Sequence, residues 1–334
     1  MANLIYSYSS TPHIKGHKTT KSVMIDVCIA LLPACIMGVV YFGLMALAII
    51  AVSVASAFLS EVIFYLIARK KFKKILEDFD FTSIVTGILI SLIMGVQTPF
   101  YVVVLANVFA IVCVKLIFGG TGKNLVNPAI VGRVFAFISF SAIIGGGWVA
   151  TKIPAIMGGV SINPTTGATI LSDSFSADKA TYLHNLDLFL GTGLAGCIGE
   201  TCKLALLIGA VYLAIRRVIN ILLPFITISV CGLFTVCISG FDFSLFLPSI
   251  LSGGLFLGAL FMATDYTTSP NTLIGNVIYF TAIGLLTALL RKVTQMECIS
   301  FAILLMNLVV PLIDKFIYHK PFGYIKQKKI KGVK

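Results

Sequence analysis

Residues 23–68 read VMIDVCIALLPACIMGVVYFGLMALAIIAVSVASAFLSEVIFYLIA, and across them only Asp26 and Glu61 are charged. One bilayer crossing takes a helix of about 20 apolar residues. The run is too long for one span and suits two helices that turn near Gly43. Its composition leaves no polar face for water on either of them, so the fold it announces is helical and membrane-embedded.

The rest of the chain agrees. Apolar residues make up 58% of the 334 residues and charged residues 11%, whereas soluble domains average about 45–50% and about 25%. An all-α integral membrane protein with about ten spans follows, with no separate soluble domain. The segment up to Ser22 is polar, with no apolar stretch and small-residue cleavage site, so no removable signal peptide is expected. The net charge of +12 does not indicate nucleic acid. Its lysines and arginines fall in short segments: Lys15, Lys18 and Lys21; Arg69 to Lys74; Arg216 and Arg217; and the tail from Lys320 to Lys334. These are cytoplasmic loops and tails by the positive-inside rule, where they meet anionic lipid.

Those charges set the boundaries. Residues 1–22 form a cytoplasmic N-terminal segment. Residues 23–144 hold a first group of five spans, residues 145–185 an extracytoplasmic loop of mixed polarity, residues 186–318 a second group of five, and residues 319–334 a basic cytoplasmic tail. Lys152, Lys179, Arg291 and Lys292 fall outside on this count. The two groups look duplicated: Ser83-Ile-Val-Thr-Gly87 recurs as Ser249-Ile-Leu-Ser-Gly253, and Asn127-Pro128 and Ser269-Pro270 each break the chain beside an inner loop. Repeats with interrupted hydrophobic segments build the midplane sites of many transport folds.

Several motifs carry less than their letters suggest. Gly191-Thr-Gly-Leu-Ala-Gly196 matches the dinucleotide fingerprint but opens an apolar segment with no βαβ unit, so small residues easing helix contact explain it. The run Gly119 to Lys123 resembles a phosphate loop, yet residue 117 is Ile and Asn124 replaces the Mg²⁺-binding hydroxyl, which excludes an ATPase. The eight cysteines include no CxxC pair. Most read as buried thiols, and Cys197 with Cys202 supplies half of a metal site at best, so no metal is expected. Histidines 13, 17, 184 and 319 lie in tails or loops, which leaves no hydrolytic triad and no catalytic residue. Ionisable residues within spans are functional candidates because charge at the bilayer centre is unfavourable: Asp26, Glu61, Lys115, Glu200, Lys203 and Asp265. Glu200 and Lys203, at i and i+3, can neutralise each other on one helix face. In the outer loop, Thr165-Thr166-Gly167-Ala168-Thr169 is a hydroxyl-rich, charge-free turn whose small residues leave a hydroxyl accessible for a phosphoester.

Four further stretches give that turn a context. They are Ser10-Thr-Pro-His-Ile14 with Thr20-Lys-Ser-Val-Met-Ile-Asp26; Phe118-Gly-Gly-Thr-Gly-Lys-Asn-Leu-Val-Asn-Pro-Ala129; Gly196-Cys-Ile-Gly-Glu-Thr201; and Phe261-Met-Ala-Thr-Asp-Tyr-Thr-Thr-Ser-Pro270. In this order, over nearly the whole chain, they resemble the RnfD/NqrB family, and within it the RnfD component of the Rnf electron-transport complex. The sister component, NqrB of the Na⁺-translocating NADH:quinone reductase, shares them but typically has a longer N-terminal extension.

The resemblance implies about ten helices in two five-helix repeats, similar to the urea-transporter fold. It also implies FMN joined covalently through its phosphate to Thr169 by a flavin transferase, with Thr166, Gly167 and Ala168 shaping the attachment site. A second, noncovalent flavin such as riboflavin is implied near Asn124, Asn127 and Asp265. As partners it implies the other components of the Rnf complex, through which ferredoxin and NAD exchange electrons, with Na⁺ or H⁺ moved across a bacterial or archaeal-type cell membrane. Asp26, Glu200 and Asp265 are candidates for the ion path. Asn163 departs from the family's signal, which has Asp at that position, and Cys197 and Cys202 stand where small or hydroxyl residues are usual. The alternatives are an NqrB-like component of the quinone reductase, a flavin-free solute channel or transporter of similar fold, and a membrane anchor that has lost its cofactor.

Overall fold

The computed structural model describes residues 19–69, 72–73, 79–144, 151, 185–193, 195–294 and 296–317. The basic tails and nearly all of the 145–185 loop, including the turn at 165–169, lie outside the described residues. The elements are α1 (Thr20–Phe42), α2 (Leu44–Ile67), α3 (Thr82–Leu92) and α4 (Phe100–Val108), which continues as a π-helix over Phe109–Leu116. There follow α5 (Pro128–Ser139) with a helical turn at Ser141–Ile144, α6 (Asn185–Leu190), α7 (Lys203–Ile215) and α8 (Leu222–Ile238). A 3₁₀ turn (Phe243–Leu245) leads into α9 (Phe246–Leu251); α10 (Leu255–Leu257) runs on as a π-helix over Gly258–Met262; α11 (Leu273–Thr294) and α12 (Ile299–Phe316) close the described chain.

Every apolar segment marked out in the sequence therefore carries helix. Among the described residues four helices, α1, α2, α11 and α12, are long and apolar enough to cross a membrane, or five spans if the pair Phe243–Leu251 and Leu255–Met262, bent by 67°, counts as one. The turn between α1 and α2 falls on Gly43 at φ 80°. Along α1 the residues Ile25, Ile29, Leu32, Ile36 and Val40 are all exposed. Their spacing of three and four puts them on one helix face, an apolar stripe that water would disfavour and hydrocarbon accepts. Pro33 inside α1 and Pro311 inside α12 are tolerated for the same reason, since helices in lipid re-satisfy the carbonyls that proline frees.

In the packing, α2 lies on α3 and α4, α8 on α9 and α11, and α1 on α7. Small residues and hydroxyls make the close contacts. Ser53 Oγ donates to Gly87 O at 2.7 Å and Thr227 Oγ1 to Phe280 O at 2.7 Å. A Cβ on Gly209 would lie 2.1 Å from Ala30 O, so glycine sets how closely α7 approaches α1. The similar pentapeptides differ in conformation: Ser83 to Gly87 lies inside α3, but Ser249 to Gly253 runs through the end of α9 into the break before α10.

Candidate functional site

The segment 186–215, at the start of the second group of spans, is interrupted. Helix α6 ends at Leu190, and the chain resumes helix only at Lys203. Gly191, at φ 84°, has Thr201 O within 2.2 Å of where a Cβ would stand. Gly191 and Gly193, both at positive φ, thus fold a turn in an unwound stretch, and among the described residues no βαβ unit surrounds them. Its far end pairs with the loop after α3: Ile198 N donates to Met94 O at 3.1 Å and Gly199 N to Leu92 O at 2.7 Å.

Where these interrupted segments meet, two arginines cap helix C-termini. Arg133 of α5 donates to Ile93 O at 2.5 Å, at the end of α3, and its Nη1 lies 3.5 Å from Glu200 Oε1. Arg291 of α11 donates to Ser249 O at 2.8 Å and Ser252 O at 3.2 Å, at the end of α9, and pairs with Glu297 at 3.0 Å. Cations at helix C-termini meet the negative end of the backbone dipole. Glu200 is thus paired with Arg133 and not with Lys203. It precedes α7 and shares no helix face with that lysine, whose Nζ bonds the carbonyls of Glu200 at 2.6 Å and Thr201 at 3.5 Å. Asp26, on α1, meets Arg216 at 3.2 Å and Tyr212 at 3.1 Å. All eight cysteines are free, and among the described residues no His, Cys, Asp and Glu group has the makings of a metal site. Arg133 was missed in the sequence, although one charge in an otherwise apolar span is the available signal. Arg291, assigned there to an outer loop, is 3% exposed.

Asn124 and Asn127 line one cavity with Asp265, which is distant from them in sequence. Its apolar lining comes from residues such as Val23, Val27, Val85, Leu89 and Phe261, and its polar lining from Thr82, Lys115, Thr121, Thr267 and the three motif residues. The π-helix of α4 ends beside Lys115, and that of α10 ends just before Asp265. Such π segments shift side-chain register and cluster at functional sites. Asn127 caps α5, its Oδ1 accepting from Ala129 N at 3.0 Å while its Nδ2 donates to Met262 O at 3.3 Å, which ties the two halves together. Asn124 Oδ1 is buried with no hydrogen-bond partner among the described residues, an unmet acceptor unfavourable by roughly 1–3 kcal/mol. A lining of mixed apolar and polar character with a spare acceptor suits the chemistry of a heteroaromatic ring system.

At the polar end, Lys115 lies 2.8 Å from Glu61 and 3.7 Å from Asp80 and donates to Thr82. Thr82 Oγ1 donates to Asp80 Oδ1 at 2.6 Å, and Thr121 donates to Asp80 Oδ2. Burial alone would raise the Asp80 pKa, but Lys115 and these hydrogen bonds overcome it and hold the carboxyl below its ordinary value. Asp265 shows the reverse: burial raises its pKa, although Thr267 and Thr268 hydrogen-bond it.

Three of the sequence stretches quoted above contribute to the cavity lining. The family model described as "NQR2, RnfD, RnfE family" matches residues 7–323. The chain belongs to this family. A relative in Acetobacterium woodii, named as the D component of a Na(+)-translocating ferredoxin:NAD(+) oxidoreductase complex, is 37% identical over 98% of this chain and 99% of its own. The D component of the proton-translocating ferredoxin:NAD(+) oxidoreductase complex of Clostridium ljungdahlii is 34% identical over 96% of each chain. The D component of an ion-translocating oxidoreductase complex of Actinobacillus succinogenes is 31% identical over 96% of this chain and 98% of its own. These relatives of the NQR2, RnfD, RnfE family belong to oxidoreductase complexes that translocate ions, and a multi-pass membrane chain is what such a component requires.

Proposed function

We propose that this protein is the RnfD-type membrane component of an ion-translocating ferredoxin:NAD⁺ oxidoreductase, relaying electrons through flavins while Na⁺ or H⁺ crosses the membrane. The observation that carries this reading is near-full-length similarity to relatives named for that complex. Those two names specify different ions, so membership of the family does not choose between them. Thr169 anchors FMN through a phosphoester, with Thr166, Gly167 and Ala168 presenting it to a flavin transferase. A noncovalent flavin occupies the cavity at Asn124, Asn127 and Asp265.

Bound flavin supplies the electron transfer, and the protein's share is to hold and tune it. The valines, Leu89 and Phe261 exclude water from the ring faces. Asn124 and Asn127 offer amides to the polar edge. The chain makes about ten crossings in two five-helix repeats of the urea-transporter type, with both termini cytoplasmic and residues 145–185 outside. The other components of the complex carry electrons to it from ferredoxin and on to NAD⁺. Asp26, Glu200 and Asp265 serve the ion path; intact ion transport in Glu200→Gln would remove Glu200 from it.

Flavin fluorescence of the denatured band on a gel tests the anchor, comparing wild type with Thr169→Ala, each co-expressed with the transferase. A bright wild-type band that goes dark in the variant is the expected result. A dark band from correctly inserted wild type would mean that Asn163 has cost the loop its cofactor, and the channel and anchor alternatives would replace the covalent-flavin reading.

A further inference from the structure

Lys115 is the one cation among the described residues that line the cavity, and it is only 1% exposed. Its ammonium is fixed in place. Glu61 Oε1 lies 2.8 Å away and Asp80 3.7 Å away, and Thr82 accepts a third contact. Glu61 uses one oxygen only, since its Oε2 is buried without a hydrogen-bond partner among the described residues. The lysine is thus compensated by one carboxylate at bonding distance and one farther off, and it stands at the end of the π-helix that turns it toward the cavity.

We propose that Lys115 sets the electron affinity of the flavin in this cavity, with Glu61 as the counter-charge that moderates it. The proposal rests on the cavity's being a flavin site. Reduction adds negative charge to the ring system. A preorganised ammonium in a poorly hydrated site stabilises that charge without reorganising, and the interaction is far stronger there than in water. Lys115 is therefore a tuning residue, acting through its field on the polar end of the site. Glu61 acts in the opposite sense, by drawing part of that field to itself.

The test is an equilibrium redox titration of the full-length chain in lipid nanodiscs, with Thr169→Ala removing the covalent flavin and riboflavin supplied as the probe. Dithionite is oxidised, riboflavin takes up two electrons, and the protons come from the buffer. Lys115→Gln is expected to keep riboflavin bound and to lower its reduction equilibrium constant about tenfold, a fall of about 30 mV for a two-electron couple. Glu61→Gln, in which Asp80 still holds the lysine, is expected to shift the potential upward. Lys115→Arg, which keeps the charge, should stay near the parent value.

Opposite shifts in the first two variants support the proposal, because loss of packing has no reason to change sign between them. If Lys115→Gln fails to fold, the upward shift in Glu61→Gln decides the matter. Unchanged potentials, or shifts in the same direction, overturn the proposal and leave the flavin site standing. Failure of the folded parent chain to bind riboflavin overturns the flavin site, and the proposal with it.

Discussion

Two buried charge clusters divide the labour in this chain, and they differ in what their cations meet. In the first, Arg133 and Arg291 donate to carbonyls at the ends of α3 and α9 and pair with Glu200 and Glu297. These cations close the backbone where helices are interrupted at membrane depth, which is tolerable only inside protein or along a cavity. In the second, Lys115 lines the cavity and meets Glu61 and Asp80, and Asn124 Oδ1, on the same lining, has no partner among the described residues. The first cluster serves the fold, and the second has capacity left for a ligand. Unmet atoms do not separate these uses, since Arg291 Nε and Glu61 Oε2 both lack a partner among the described residues; what separates them is that the arginines meet carbonyls at helix ends and Lys115 meets carboxylates beside a cavity.

Variants can break that contrast. Arg133→Met should have the largest effect. It leaves Glu200 buried beside an uncapped carbonyl, and truncating one partner of a buried pair destabilises by about 3–5 kcal/mol. Thermal unfolding in detergent would show it, and a loss too small to detect would mean that the arginine cluster is not structural. Gly191→Ala comes next, at about 1–3 kcal/mol by overpacking, because the new methyl group meets Thr201 O at a backbone φ of 84°. The same melt should register it as a smaller drop, and no change would show that the unwound turn yields easily.

Asn124→Ala, which removes the unmet acceptor, should not lower the melting temperature of the ligand-free chain and should weaken riboflavin binding about tenfold, the equivalent of ~1.4 kcal/mol. Fluorescence quenching measures this, and equal binding would take the spare acceptor out of the site. The smallest effects are pH slopes. The Asp80 carboxyl is depressed below its ordinary value of 3.8, so its contribution is full above that value and is lost as pH falls through the folded-state pKa. The Asp265 carboxyl is raised from 3.8, so its contribution is full below that value and fades as pH rises through the higher one. Asp80→Asn should therefore flatten the acid limb of melting temperature against pH, and Asp265→Asn should remove the opposite trend. Identical slopes in both variants would contradict the environments described for them.

Much of this was legible before any fold was drawn. The turn at Gly43 follows from the length of the apolar run, and each apolar segment is helical because lipid leaves the backbone no other partner. Asn124, Asn127 and Asp265 were marked by resemblance, and they line a common cavity. The interruption at 191–202 was not legible. An apolar stretch that unwinds has the composition of one that does not, and only its pairing with the loop after α3 satisfies the freed backbone. Glu200 was matched to Lys203 by helical spacing, a rule that fails once the helix starts at Lys203. Arg291 beside Lys292 reads as a loop charge, and its capping role exists only because α9 ends next to it.

The sequence by itself determined that this protein is helical, lies in a membrane and belongs to its family, because hydrophobic run length, lysine and arginine placement and motif order are properties of the chain read along its length. Tertiary structure alone decided which charges meet. Lys115 finds Glu61 and Asp80, Arg133 finds Glu200, and two π-helical stretches bring Lys115 and Asp265 to one cavity. The physical reason is the low dielectric of the interior. A charge there must find a partner, and the partner is chosen by helix packing across long sequence separations that no local spacing records.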